Sequence, residues 1–456
     1  MIAPRTGMAP LSWFAQANGV ELIGDDAEVL RVNSDSRAVQ GGDLFVALRG
    51  ERFDGHSFSQ GAADAGAVGM VCDRRLDTAI AQIVVNDTLS ALQTVAQAWR
   101  RRFDIPVIGV TGSNGKTTTK QMLAAVLSAR GPVLATRGNL NNHIGMPMTL
   151  LELREEHRTA VIEMGANHAG EVELLTTLAA PNIGLVTQAG DAHLEGFGSR
   201  DGVAHAKGEL FAGLGEDGIA IINADDAYAD LWRSMARCSQ LSFGIDNAAD
   251  VRACDIRCEH DSSRFTLEIP GGEAQVEMAL AGRHNIMNAL AAAACAAALG
   301  LEAHSIADGL GRFEQAQGRL VWRKATSGAQ VIDDSYNANP TSLRAGLELL
   351  AQQEGRRYAV LGGMGELGPD SDSLHEWCGA KARELGIEHL YALGNSARHY
   401  VNGFGSGGVA FDSVEELTAR LQAESGTQTT MLVKGSRSAR MERIVTALCG
   451  DAAAGH

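Results

Sequence analysis

No stretch of this 456-residue chain is apolar for long enough to cross a bilayer. The longest such run, Ala289 to Leu299, is about half of what a span needs and reads as a buried Ala-rich helix ended by Gly300. The first thirty residues lack a basic segment followed by an apolar core, so no secretory leader is expected. Cysteine is sparse: seven, an odd number without framework spacing, which argues against a disulfide-stapled secreted fold and suits a reducing cytoplasm. Cys254, Cys258 and His260 alternate along VRACDIRCEH as strand residues do, and no second ligand pair follows, so no zinc site is expected there. A surplus of positive charge is missing too. Lys and Arg total 39 against 55 Asp and Glu, a formal net charge of −16, which argues against a broad nucleic-acid surface. A small anionic substrate must then be met by local basic groups.

What is present is an ordinary globular composition, 45% hydrophobic and 21% charged, in a chain long enough for two to four domains. Its most informative segment is Gly109 to Lys120, GVTGSNGKTTTK. Small residues let successive backbone N–H groups turn onto phosphate oxygens, Lys116 supplies a point charge for the β- and γ-phosphates, and the Thr117 hydroxyl is suited to Mg²⁺. Gly112, Ser113, Asn114, Gly115 and Thr118 complete the cradle. The strict pattern requires glycine where Val110 stands, so this is a variant loop. Its setting supports it: Ile105, Val107, Ile108 and Val110 form a short apolar run, while Met122, Leu123, Val126 and Leu127 recur at helical spacing up to Gly131-Pro132. The loop therefore opens a helix, where the dipole favours anions.

Three α/β domains are expected. Residues 1–100 mix short apolar runs with turns, among them Ser34-Asp35-Ser36-Arg37 and Phe53-Asp54-Gly55-His56, which serve equally as turn residues or as binding groups. Residues 101–317 alternate strand and helix around the phosphate loop, implying a mostly parallel sheet with ligands at the carboxyl ends of its strands. Glu163, closing an apolar VIEM run, is placed to face a Mg²⁺ held at the loop, or is a solvated strand end. His193 follows the next strand. Lys207 sits in the middle of the apolar face formed by Val203, Leu210, Phe211 and Leu214; it is either a buried amine with a lowered pKa or a lysine reaching past the stripe to water. Asn285 and Asn288 share one face of the Ala-rich helix and either cap it or read a purine edge; spacing leaves both open. Gln315 to Gly318 form a polar connector ahead of Arg319. Residues 318–456 alternate strand and helix again, in a Rossmann-like layout. Gly363 to Gly368 imitate a dinucleotide fingerprint, but Pro369-Asp370-Ser371 delays the helix that such a motif needs, so no nicotinamide or flavin site is expected.

These residues together resemble the Mur ligase family, the ATP-dependent amide-forming enzymes of peptidoglycan precursor synthesis, over essentially the whole chain. Within it, GNLNNHIGMP (Gly138 to Pro147), EMGANHAGE (Glu163 to Glu171), DDSYNANP (Asp333 to Pro340) and LGGMGELG (Leu361 to Gly368) are similar to the branch that joins D-alanyl-D-alanine to UDP-N-acetylmuramoyl-tripeptide. The Asp-Asn-Pro-Arg string of the branch adding the third residue is absent. The His before Asn-Pro usual in folylpolyglutamate synthases is replaced by Ala338. The resemblance implies that the first domain holds the UDP end of the substrate near Ser34, Asp35, Ser36 and Arg37, that the central domain binds ATP, and that the last presents the dipeptide, with Asn337 and Asn339 nearby. It further implies Lys116 on the transferring phosphoryl group and Thr117, Glu163 and His193 serving two magnesium sites. Asn285 and Asp334 would lie near adenine and ribose, with Asn288 beside them, and Arg319 would reach the phosphates on closure. By the same likeness Lys207 is carbamylated by CO₂ and becomes a metal ligand. A cytoplasmic monomer, with no nucleic-acid or membrane partner, is the expectation. The competing class, a nucleotide-driven switch, lacks the guanine-reading Asn-Lys-x-Asp string and leaves the outer domains without a role.

Overall fold

Three main sheets organise the computed structural model, which describes residues 7–450 apart from 51, 52, 260, 316 and 317. His260 of the cysteine-rich strand, and Ala316 and Gln317 of the polar connector, thus lie outside the described residues.

The first sheet has five strands in the order Leu22–Ile23, Ala81–Val84, Gly69–Cys72, Asp43–Val46, Arg31–Asn33, all parallel except the short first one. Asp43–Val46 and Gly69–Cys72 are buried at every position, as strands covered on both faces are. The loops at 34–37, 47–50 and 73–75 therefore leave one edge of this sheet side by side.

The central sheet has nine strands. In spatial order they are Val133–Ala135, Thr159–Glu163, Val107–Thr111, Ile183–Val186, Ile219–Asn223, Ser239–Gly244, Val251–Cys258, Ser263–Ile269 and Gly272–Met278. The first seven are parallel, and the last two extend the sheet as an antiparallel meander. The phosphate-loop helix, Lys116–Leu127, packs against the Ala-rich helix Arg283–Ala298 and against Ala303–Gly311. Small side chains allow that approach: a Cβ on Gly309 would lie 2.5 Å from the Val126 Cα.

The third sheet runs Val321–Lys324, Gln330–Asp334, Thr429–Lys434, Arg356–Gly362, His389–Leu393, Gly408–Phe411, parallel except for its first strand. Gly408–Phe411 and the helix Ala397–Phe404 were not legible in sequence. The strand is a short edge element with no fully buried position, so it carries little hydrophobic pattern.

The cores differ in connectivity. One apolar cluster runs from Leu11 and Phe14 in the first domain to Leu210 and Trp232 in the second. At that junction Trp99 meets Trp13 edge-on at 5.6 Å, donates its indole N–H to the Leu153 carbonyl at 3.1 Å, and lies under the Arg102 guanidinium at 4.7 Å. The third sheet buries its faces in clusters of its own, which include just one buried central-domain residue among those described, Ala281.

Candidate active site

The phosphate loop has the geometry its sequence implies. Gly112 and Gly115 take φ of 140° and 81°, and a Cβ at either would strike a neighbour: Thr187 Oγ1 at 2.0 Å from Gly112, Asn288 Oδ1 at 2.3 Å from Gly115. Ser113 is locked to the adjacent strand end by its N–H to the Gln188 carbonyl at 2.9 Å, and its hydroxyl accepts from the Gly190 N–H at 2.9 Å. Lys116, the first residue of the helix, folds its ammonium back onto the Gly112 carbonyl at 2.6 Å. Burial pulls that ammonium below its ordinary value and nearby Arg319 adds to the effect, while Glu163 opposes it.

Glu163 is not a solvated strand end; it is 2% exposed. Its Oε1 accepts from Asn141 Nδ2 at 2.8 Å, Thr117 Oγ1 lies 3.1 Å from Oε2, and Lys120 Nζ lies 3.0 Å from Oε2. Arg319 reaches Thr117 Oγ1 at 3.1 Å from the far side and stacks on Tyr336, 4.2 Å from the ring centre. Burial drives the Glu163 carboxyl upward, but Lys120, Lys116 and the Asn141 hydrogen bond outweigh it and hold it below the usual carboxylate range. The Thr117 hydroxyl and the Glu163 carboxylate are the hard oxygen donors Mg²⁺ takes, and phosphate and water oxygens complete such a shell. These residues fit a metal brought to the phosphates.

His193 lines the same cleft but is engaged differently from expectation. It adopts a left-handed backbone (φ 55°) and its Nδ1 is hydrogen-bonded to the Glu366 carboxylate from the third domain. Among the described residues no three His, Cys, Asp or Glu side chains form a metal-holding group; Glu366 engages His193, while Thr117, Asn141 and Lys120 engage Glu163. Lys207 is 1% exposed, so it does not reach past the apolar stripe to water. Its Nζ donates to the Ala166 carbonyl at 3.2 Å and lies 5.0 Å from the centre of the Phe197 ring. Burial, with the charge of Lys116 second, lowers its pKa to about 7.

Asn285 and Asn288 brace the loop from below. Asn285 donates to the Ala281 carbonyl at 2.8 Å and accepts from Asn288, whose Oδ1 accepts from Thr119 Oγ1 at 3.4 Å. Asp334 is paired with Lys434, and burial raises its pKa above the ordinary carboxylate value. Asn339 caps the helix Pro340–Ala351 and passes its amide to Asn114 Oδ1 of the phosphate loop at 2.9 Å. The Asn337 carbonyl accepts from Lys434 Nζ at 2.9 Å. Thr118, Asn114, Asn285, Asn288, Asp334, Asn337, Asn339 and Lys434 line one cleft of about 920 Å³ between the central and third domains. In the first domain Asp35 accepts from the Arg37 N–H and pairs with its guanidinium at 2.8 Å, lowering the Asp35 pKa to about 2. Ser34 to Arg37 are thus turn residues that leave Arg37 exposed, next to the loop bearing Arg49 and the loop bearing Arg74. His56 is buried between Asp54, at 2.5 Å, and the Asp73 N–H, at 3.0 Å.

Of the fingerprint-like residues, Gly363 and Met364 line a separate hollow of about 600 Å³ with Asn395, Ser413 and Ser436. The following helix begins only at Ser371, after a single turn at Gly368–Asp370, so the dinucleotide cradle does not form. Sequence reading missed Lys120, Glu366 and Lys434. Lys120 lies one helical turn from Lys116, a spacing that could have exposed it. Glu366 depends on how the domains meet and Lys434 on which strands of the third sheet lie side by side, and no local pattern records either.

A nucleotide-phosphate cradle in a central parallel sheet, faced by a Rossmann-like domain, defines a class that comparison identifies. Models of the Mur ligase family match consecutive parts of the chain: the catalytic domain at residues 28–110, the middle domain at 110–296, and the glutamate ligase domain at 318–437. The chain belongs to the Mur ligase family. It is 43% identical to the UDP-N-acetylmuramoyl-tripeptide--D-alanyl-D-alanine ligase of Escherichia coli (strain K12), covering 94% of this chain and 95% of that protein. To the ligase of the same name from Bacillus subtilis (strain 168) it is 37% identical, over 91% and 92%. Among solved structures it superposes on MurF from Acinetobacter baumannii with a TM-score of 0.93 at 37% identity, covering 98% of this chain and all of that one. MurF ligase from Thermotoga maritima in complex with ADP gives a TM-score of 0.80 at 27% identity, over 91% and 96%.

Proposed function

We propose that this chain is an ATP-dependent ligase that joins D-alanyl-D-alanine to UDP-N-acetylmuramoyl-tripeptide through an acyl phosphate, a step of peptidoglycan precursor synthesis. The observation that carries the reading is the phosphate loop facing Glu163 in a cleft closed by the third domain, in a chain similar over nine-tenths of its length to ligases of that name. The tripeptide's terminal carboxylate oxygen attacks the γ-phosphorus of ATP, and the bond to the ADP oxygen breaks. The amine of D-alanyl-D-alanine then attacks the acyl carbon and phosphate leaves. Lys116 and Arg319 face the phosphoryl oxygens and offset charge that builds there. Mg²⁺, held by Thr117 and Glu163, with His193 and a carbamylated Lys207 serving a second site, would supply further charge neutralisation. Asn285, Asn288 and Asp334 border the nucleoside end of the cleft. Ser34 to Arg37, beside Arg49 and Arg74, offer hydrogen bonds to the UDP end from guanidiniums that pair with Asp35, Asp54 and Asp73. Asn337, Asn339 and the loop Gly363 to Gly368 belong to the dipeptide side.

Domains at 1–100, 101–317 and 318–456 would divide the work in that order, within one cytoplasmic monomer. The test is mass spectrometry of the product formed from ATP, Mg²⁺, the UDP-linked tripeptide and D-alanyl-D-alanine. The ligated pentapeptide is expected, with phosphate release only when both peptide substrates are present. Strong phosphate release without them would move the chain to the nucleotide-switch class.

A further inference from the structure

The phosphate loop contains a cation that the reaction just described does not use. Lys120 lies one turn beyond Lys116 on the same helix and is 3% exposed. Its ammonium is 3.0 Å from Glu163 Oε2, with both side chains about equally buried. Lys120 does not line the cleft, so it has no path to the phosphates; it approaches Glu163 from the helix side while Thr117 and Asn141 approach from the cleft. The groups facing Glu163 are then Lys120, Lys116 and Asn141, together with Thr117, which is itself held by Arg319. A carboxylate offered to a divalent cation ordinarily attracts it by its uncompensated charge. Here a protein cation already balances that charge, and both oxygens hold hydrogen-bond partners.

We propose that Lys120 is a resident counter-cation for Glu163, a positioning residue that makes the chain accept its divalent metal only together with the nucleotide. Without nucleotide, a metal at Glu163 would meet a neutral pair beside Lys116 and Arg319, so the site repels it. With nucleotide, the phosphates bring negative charge that reverses the balance, and Lys120 keeps the carboxylate aimed as the metal arrives. The inference rests on the ligase reading only in taking Glu163 as the metal-facing carboxylate.

The experiment titrates the full-length protein with Mn²⁺, followed by its electron paramagnetic resonance, with and without ADP. Wild type should bind Mn²⁺ at least tenfold more weakly without ADP than with it. Lys120→Gln should tighten nucleotide-free binding at least tenfold and shrink the dependence on ADP, while Lys120→Arg should restore the wild-type pattern. A lysine that merely stabilises the helix would lower the melting temperature and leave the Mn²⁺ isotherms unmoved, which overturns the proposal. Tight nucleotide-free binding by wild type overturns it as well, and that measurement stands even if Lys120→Gln does not fold. Ligation persisting alongside either adverse result would refute this inference and leave the ligase reading intact.

Discussion

Lys207 allows the sharpest quantitative test, because its burial fixes both a sign and a size. An ammonium moved from its ordinary 10.5 to about 7 by burial corresponds to about 5 kcal/mol at about 1.36 kcal/mol per pH decade. A base with a lowered folded-state pKa binds fewer protons folded than unfolded between the two values. Stability therefore rises with pH from about 7 to 10.5 and gains nothing from this residue below 7. Lys207→Met removes the titration and keeps an apolar stem, so the difference in unfolding free energy between wild type and variant should change by several kcal/mol across that window. Denaturant unfolding at a series of pH values in CO₂-free buffer measures it. The neutral amine present near pH 7 is also the form that adds CO₂. Bicarbonate should then flatten the wild-type slope and add the mass of one CO₂ to the native protein. Lys207→Ala should lose ligation and recover part of it with small carboxylic acids that supply the missing oxygens. Parallel pH curves for wild type and Lys207→Met would refute the buried-amine argument, and an unmodified Lys207 in active, metal-loaded protein would refute the carbamate.

Three further outcomes follow from the same geometry. Lys116→Ala should lower kcat at least about a hundredfold with the fold retained, because it removes charge stabilisation at the transferring phosphoryl group; near-normal turnover by a folded variant would take the loop out of the reaction. Gly112→Ala forces a methyl to within 2.0 Å of Thr187 Oγ1 at a φ of 140°, so it should raise KM for ATP far more than KM for the dipeptide, as steady-state kinetics will show. Asn339→Ala deletes a helix cap and the bond to Asn114, and should cost about 1 kcal/mol in thermal unfolding while weakening nucleotide binding measured by calorimetry.

What the sequence made legible, and what it did not, divides along physical lines. The loop around Lys116 was readable because its chemistry depends on consecutive residues: glycines for positive φ, a lysine at the helix start, a strand before and a helix after. Lys207 was readable as an anomaly because helical periodicity placed a charge among Val203, Leu210 and Phe211, and the side chain is indeed enclosed. Glu163 admitted two readings, since a strand terminus is as often wet as dry; only the packing of Lys120 and Asn141 around it decided for burial. His193 with Glu366, Asp334 with Lys434 and Asn114 with Asn339 were not readable at all. Each pair joins residues 100 or more positions apart, and all but Asp334 with Lys434 span two domains, so neither hydrophobic period nor local motif could bring them together.

Those long-range pairs also indicate which part of the molecule is built to move. The first and central domains share one apolar cluster, sealed by Trp13, Trp99 and Arg102, and separating them would expose that whole surface to water. The third domain meets the central one mainly through polar contacts: Asn339 on Asn114, Thr341 with Asp191, Glu366 on His193, and Arg319 on Thr117. Such contacts exchange readily for water, each contributing little net free energy, so opening here costs far less than opening at the first junction. All four end on the phosphate loop and the first turn of its helix or on the residues just beyond the neighbouring strand Ile183–Val186, where the reacting groups assemble. We propose that nucleotide and dipeptide enter while the third domain is swung away, and that closure brings Arg319 and Glu366 to the cleft in the same movement that excludes water from the acyl phosphate.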